Sequence, residues 1–126
     1  IPIFVYKCLN HLPFTVYKGH SRIFDYVEDT CRTFANITEN FIPGEVSNVG
    51  SSEDWSISIE ELAEIVLKET GADPGLVEFK GEEAFTTRVK VVDFSKSRRD
   101  LKHEATIDIH EGVKRYVAWM RRALER

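Results

Sequence analysis

The sequence holds 126 residues, 42% of them hydrophobic, with a formal net charge of −4, which suffices for one compact domain around a small core. A pI near 5.6 excludes a nucleic-acid surface, because phosphate backbones demand a concentrated excess of Lys and Arg; a small anion gripped by one or two arginines stays open. Apolar runs fall short of the roughly 20 residues that span a bilayer, and no signal-peptide pattern opens the chain, so a soluble, cytoplasmic protein without a membrane partner is expected.

The chain starts on Ile1-Pro2-Ile3-Phe4-Val5, with neither a Met nor a capping residue before it, and reads as a cut through a longer polypeptide. Residues 2–12 place Ile3, Phe4, Cys8 and Leu12 on one helical stripe, with Pro2 suited to a first turn. Phe14-Thr15-Val16-Tyr17 alternates as a short strand closed by Gly19, and Arg22–Val27 is a second extended stretch. From Val27 to Phe41 the apolar positions Val27, Cys31, Phe34, Ile37 and Phe41 recur with a helical period, and Glu28 and Asp29 sit where the dipole favours acids. Pro43-Gly44 is a turn, and Glu45–Gly50 reads as a strand.

Ser58 followed by Glu61, with Ile57 and Leu62 flanking, is a capping box with a hydrophobic staple, and Gly71 is placed to stop that helix. Leu76–Phe79 and Arg88–Val92 are strand candidates joined by a polar connection. A brief helix is predicted over Phe94–Leu101. The last helix starts at Asp108, with Glu111 as capping partner, and buries Ile109, Val113, Val117 or Tyr116, Met120 and Leu124. Helices and short strands thus alternate in a single mixed α/β unit over residues 1–126.

Cys8 and Cys31, the only two cysteines, form neither a CxxC pair nor a disulfide framework and read as reduced structural thiols. His11, His20, His103 and His110 fall in loops or on surfaces at spacings unlike any metal motif, so no metal is expected. Asn36-Ile37-Thr38 fits a glycosylation acceptor only by chance, being inside a helix. Lys114, Arg115, Arg121, Arg122 and Arg126 on the last helix are read as a solvated face with cations near its negative end. No nucleophile with a nearby base, phosphate loop or GxSxG turn is present. Arg22 and Arg88 are the most suggestive residues, each beside a short strand, where a guanidinium either holds a phosphate through paired hydrogen bonds or merely decorates the surface.

A series of motifs adds to this. Ile1-Pro2-Ile3-Phe4-Val5-Tyr6-Lys7 with Leu12-Pro13-Phe14-Thr15-Val16-Tyr17, then Arg22-Ile23-Phe24-Asp25-Tyr26-Val27-Glu28-Asp29, then Ser47-Asn48-Val49-Gly50-Ser51 follow one another in order. Ser58–Ala63, Arg88 to Asp93-Phe94-Ser95-Lys96 and Glu111-Gly112-Val113 complete the series. In this order they resemble the C-terminal portion of the NAD-dependent epimerases and dehydratases, the extended short-chain dehydrogenase family that includes UDP-sugar 4-epimerases and dTDP-glucose 4,6-dehydratases. Ile23 stands where Asp is usual, Ser47 where Tyr is usual, and the Tyr17–Arg22 connection is about two residues short of the common dehydratase form.

The resemblance implies a small substrate-binding lobe of helices and short strands, most of the Rossmann core being absent. It implies that Arg22 and Arg88 bind the diphosphate of a UDP- or dTDP-sugar, and that Val16 and Tyr17 line the base pocket. Asn48, on a strand closing the Rossmann sheet, either contacts the ligand or satisfies loop backbone groups. Family catalysis also needs a Gly-rich turn for NAD or NADP and a Tyr-x-x-x-Lys base. The sequence contains neither: Tyr17 and Tyr26 are followed four residues on by Ser21 and Thr30. Catalytic and cofactor residues are therefore expected in a preceding Rossmann segment of roughly 170 to 200 residues, with this stretch alone inactive and binding no cofactor. Separated from that segment, the Asn48 strand and the helix from Val27 would expose an apolar patch, so a homo-oligomer is expected. The rival reading is a non-catalytic, stand-alone interaction module of the same architecture.

Overall fold

Ser58 accepts the Glu61 N–H at 3.0 Å while the Glu61 carboxylate accepts the Ser58 N–H at 2.8 Å, so the expected capping box opens a helix over Ile59–Thr70. The Ser58 N–H and the Ser58 hydroxyl, both donating to that carboxylate, hold the Glu61 carboxyl below the usual carboxylate range, and Gly71, at φ 71°, ends the helix in the left-handed conformation that glycine adopts without strain. The computed structural model describes residues 1–90 and 92–125, leaving aside the Glu53 side chain. These residues gather into two units, one of Ile1–Arg22, Ile57–Val89 and His110–Arg126, the other of Ile23–Ser56 and Lys90–Ile109.

In the first unit, helix α1 (Pro2–Leu9) leads to strand β1 (Phe14–Tyr17), which pairs in parallel with β4 (Val77–Lys80) in the register Phe14 to Val77 through Tyr17 to Lys80. Strand β2 (Ser21–Arg22) pairs antiparallel with β3 (Ile57–Ser58), which runs directly into the capped helix, α3. The core is apolar: Val5 and Cys8 of α1, Phe14 and Val16 of β1, Leu62, Ala63 and Val66 of α3, and Val113, Val117 and Met120 of the last helix, α5 (Ile109–Leu124). Leu124 is half exposed, outside the buried stripe expected of it. Burial also pushes the Cys8 thiol up, which keeps it unreactive.

The stripe expected on α1 is displaced. Val5 and Cys8 face inward, whereas Ile3 and Leu12 are 67% and 42% exposed. The helix stops at Leu9 because the chain turns through His11, at φ 53°, towards Pro13, and this carries Leu12 off the helical face. Phe4 keeps its place by packing on Phe14, ring centroids 4.8 Å apart.

The second unit is built on α2 (Val27–Asn40) and α4 (Ser95–Leu101), and the apolar stripe of α2 lies largely outward. Val27, Phe34 and Phe41 are 64%, 61% and 68% exposed, and Cys31 is exposed too. The buried residues of α2 are Asp29 and Thr33. Each polar group on this face has a partner, so its burial costs little. Asp29 accepts the backbone N–H groups of Thr106 and Ile107 at 3.0 and 3.1 Å and the Thr106 hydroxyl at 2.9 Å, and it pairs with Arg32. Asn36 donates to the Leu101 carbonyl at 3.1 Å. His103 is in hydrogen-bond contact with the Thr33 hydroxyl and the Gly50 carbonyl.

Residues 45–50, expected as a strand, are irregular. Lys96 from α4 donates to the Val46 carbonyl at 2.7 Å, taking an acceptor a sheet would use. A Cβ on Gly50 would run into the Phe94 ring. The strand expected over Arg88–Val92 is reduced to one parallel bridge, Ser21 with Val89; Val91 lies outside the described residues, as does Arg126. Among the described residues no helix is long and apolar enough to cross a membrane.

Candidate functional site

β1 and β2 are joined by the tight turn Lys18-Gly19-His20, in which Gly19 adopts φ 80°, a conformation that side-chain-bearing residues rarely take. The Gly19 N–H donates to Glu60 Oε1 at 3.1 Å, and the His20 carbonyl accepts the Ile59 N–H at 2.9 Å, so α3 fixes the turn. β2 therefore starts at a defined place and delivers Arg22 half-buried.

The Arg88 carbonyl is the meeting point. It accepts the Ser21 N–H at 2.8 Å and Arg22 Nη1 at 3.0 Å; Nη1 also donates to the Ser21 carbonyl at 2.7 Å. Two arginines 66 positions apart are thereby held side by side at backbone level. Among the described residues nothing engages Nε or Nη2 of Arg22. The Arg88 guanidinium pairs with Glu82, both side chains being well exposed at 68% and 49%. Such a pair is screened and weak, worth at most about 1 kcal/mol, so an incoming anion can displace the carboxylate.

His20 and His103, expected in loops or on surfaces, are only 4% and 5% exposed. The His20 ring reaches across to the loop before Arg88, with Nδ1 3.4 Å from the Thr87 carbonyl and Nε2 accepting the Glu83 N–H at 3.3 Å. Sequence spacing gave no sign of His20 or of Glu82.

Tyr17 is half-buried at the end of β1, beside Lys80 in register. Val16 is fully enclosed in the core and presents no surface, so it can only back the strand on which Tyr17 stands. Asn48 belongs to the second unit and lies on the irregular 45–50 segment, not on a sheet-closing strand; its exposed amide donates to the Asp93 carbonyl at 3.4 Å. The structure thus joins Arg22 and Arg88, and Asn48 satisfies loop backbone. The second unit also has an apolar groove of about 320 Å³ lined by Phe34, Ile37, Phe41, Ile42 and Leu101, and the first a polar one of about 280 Å³ between Glu61, Lys68 and His110. Neither groove is lined by Arg22 or Arg88.

No protein-family profile matches the chain. It is 32% identical over 123 residues to the dTDP-glucose 4,6-dehydratase of Actinoplanes sp., covering 96% of this chain and 38% of that protein. The crystal structure of UDP-glucose 4-epimerase with UDP-glucose from Thermotoga maritima superposes with a TM-score of 0.85 at 25% identity, over 97% of this chain and 39% of that one. The dTDP-glucose 4,6-dehydratase DesIV from Streptomyces venezuelae, crystallised with NAD, gives 0.84 at 25% identity, over 97% and 38%. Its homologues are extended short-chain dehydrogenases. The mixed α/β fold corresponds to a C-terminal portion of these extended short-chain dehydrogenases, and the chain spans under two fifths of the length of those named.

Proposed function

We propose that this chain is the substrate-recognition part of an NAD- or NADP-dependent nucleotide-sugar epimerase or dehydratase, binding the diphosphate of a UDP- or dTDP-sugar between Arg22 and Arg88. The observation that supports the reading is the hydrogen bond from Arg22 Nη1 to the Arg88 carbonyl, which brings the Arg22 guanidinium to the backbone of Arg88. Planar guanidinium groups match phosphate oxygens two bonds at a time. Tyr17 is the wall of the base pocket, with Val16 packed behind it. Asn48 is ancillary.

The residues of this chain do not fit the cofactor. Among the described residues no strand–Gly-rich turn–helix is formed, and the sequence has no Tyr-x-x-x-Lys. In this reading a cytoplasmic Rossmann domain supplies the hydride chemistry, and the present residues contribute binding energy remote from the reacting sugar, which orients it. That domain docks on the uncovered α2 face, and the 126-residue chain without it pairs with itself through the same residues.

Calorimetric titration of the complete protein with UDP and with dTDP, wild type against Arg22→Ala, tests the clamp. A loss of about 1.5 to 3 kcal/mol is expected for a charge-assisted contact. Equal affinities remove the clamp, and absence of any nucleotide binding leaves the stand-alone interaction module.

A further inference from the structure

We infer that His20 is a positioning residue for the arginine pair, fastening the loop before Arg88 through a neutral imidazole that carries its proton on Nδ1. The inference rests on the diphosphate reading of Arg22 and Arg88.

The hydrogen-bond chemistry fixes the ring. The Thr87 carbonyl can only accept, so the nitrogen facing it at 3.4 Å, Nδ1, must donate. The Glu83 N–H can only donate, so Nε2, at 3.3 Å, must be the bare nitrogen. Only the neutral Nδ1–H form satisfies both, whereas a free histidine side chain favours the Nε2–H form. The ring is almost completely buried, at 4% exposure, so a lost bond is not replaced by water at no cost.

The position of the ring gives the bonds their role. His20 directly precedes Ser21 and Arg22, and its own carbonyl is tied to Ile59. Its ring partners are Glu83 and Thr87, and the next residue along, Arg88, offers its carbonyl to Ser21 and Arg22. One side chain and one carbonyl therefore hold the same loop, and Glu82 and Arg88 depend on both. The tight Lys18-Gly19-His20 turn brings the ring under that loop. Charged groups on the elements around it are Lys18 and Arg22 on its own turn and strand, Glu82, Glu83 and Arg88 on the loop, and Glu60 and Glu61 on α3.

The test uses UDP-glucose. With the complete protein, His20→Gln should bind it about fivefold to tenfold more weakly than the wild type, the effect of losing one buried hydrogen bond, whereas His20→Asn, whose amide N–H can stand in for Nδ1–H, should recover most of that loss. Wild-type affinity in His20→Gln overturns the positioning role. Should His20→Gln not fold, nitrogen NMR of the wild type decides: the Nδ1–H tautomer at neutral pH is expected, and the Nε2–H tautomer overturns the inference. Arg22→Ala separates the two levels. If it binds UDP-glucose like the wild type, the diphosphate reading falls and this inference with it; if it binds weakly while the His20 results are negative, only the positioning role falls.

Discussion

The first unit closes around Val5, Val16, Leu62, Val66 and Val113, none more than 2% exposed. The second encloses Phe94 and Ile107 but otherwise buries Asp29, Thr33, Ser51, Ser97 and His103. Apolar burial is non-directional and scales with area. A polar interior instead depends on each donor meeting its acceptor, because an orphaned group costs about 1 to 3 kcal/mol. The second unit thus buries the polar face of α2 and leaves much of the apolar one, at Val27, Phe34 and Phe41, open to solvent. One unit completes its own apolar core; the other is held by specific contacts and keeps apolar surface available.

Substitutions at three positions probe that contrast. Leu62→Ala, in the first unit, should cost about 3 kcal/mol in urea unfolding, transfer and cavity terms together; a cost near zero would mean that the apolar core does not hold the unit. Asp29→Ala should cost about 2 kcal/mol by orphaning the Thr106 and Ile107 N–H groups, and a negligible cost would deny the polar account of the second unit. The same carboxylate gives a pH signature. Burial alone would raise its pKa, but the Ile107 and Thr106 N–H groups, the Thr106 hydroxyl and Arg32 together hold it below the ordinary 3.8. Its folded pKa being depressed, its stabilisation is whole above the unfolded value and fades as pH falls through the folded one. Asp29→Asn should remove that part of the acid sensitivity. The smallest effect is expected at Phe34→Lys, under about 0.5 kcal/mol, since the side chain is already in water. Sedimentation should show this variant less self-associated than the parent chain. A large destabilisation, or unchanged association, would count against an uncovered α2 face.

These regions also mark what could be read from sequence. The α3 capping box was legible because all its atoms lie within four residues, and the α5 stripe because three of its positions, Val113, Val117 and Met120, follow a helical period that matches their burial. Which residues α2 buries was not, because the partners that draw Asp29 and Thr33 inward lie 70 or more positions away. The 45–50 segment failed for a similar reason, its carbonyls being taken by Lys96 and His103. Arg22 and Arg88 stood out through a resemblance in motif order, not through spacing, and nothing local linked either to the other. His20 was missed because a buried histidine is recognised only from what surrounds it.

The parallel pairing of β1 with β4 has a consequence for how the chain is made. Tyr17 must wait for Lys80, its register partner, 63 residues further on. At the usual pace of about 5 to 20 residues per second, the ribosome takes roughly 3 to 13 seconds to supply it. Through that interval the nascent strand has every main-chain group of one edge unclaimed, and any delay in translation between the two strands lengthens its opportunity to pair with a neighbouring nascent copy.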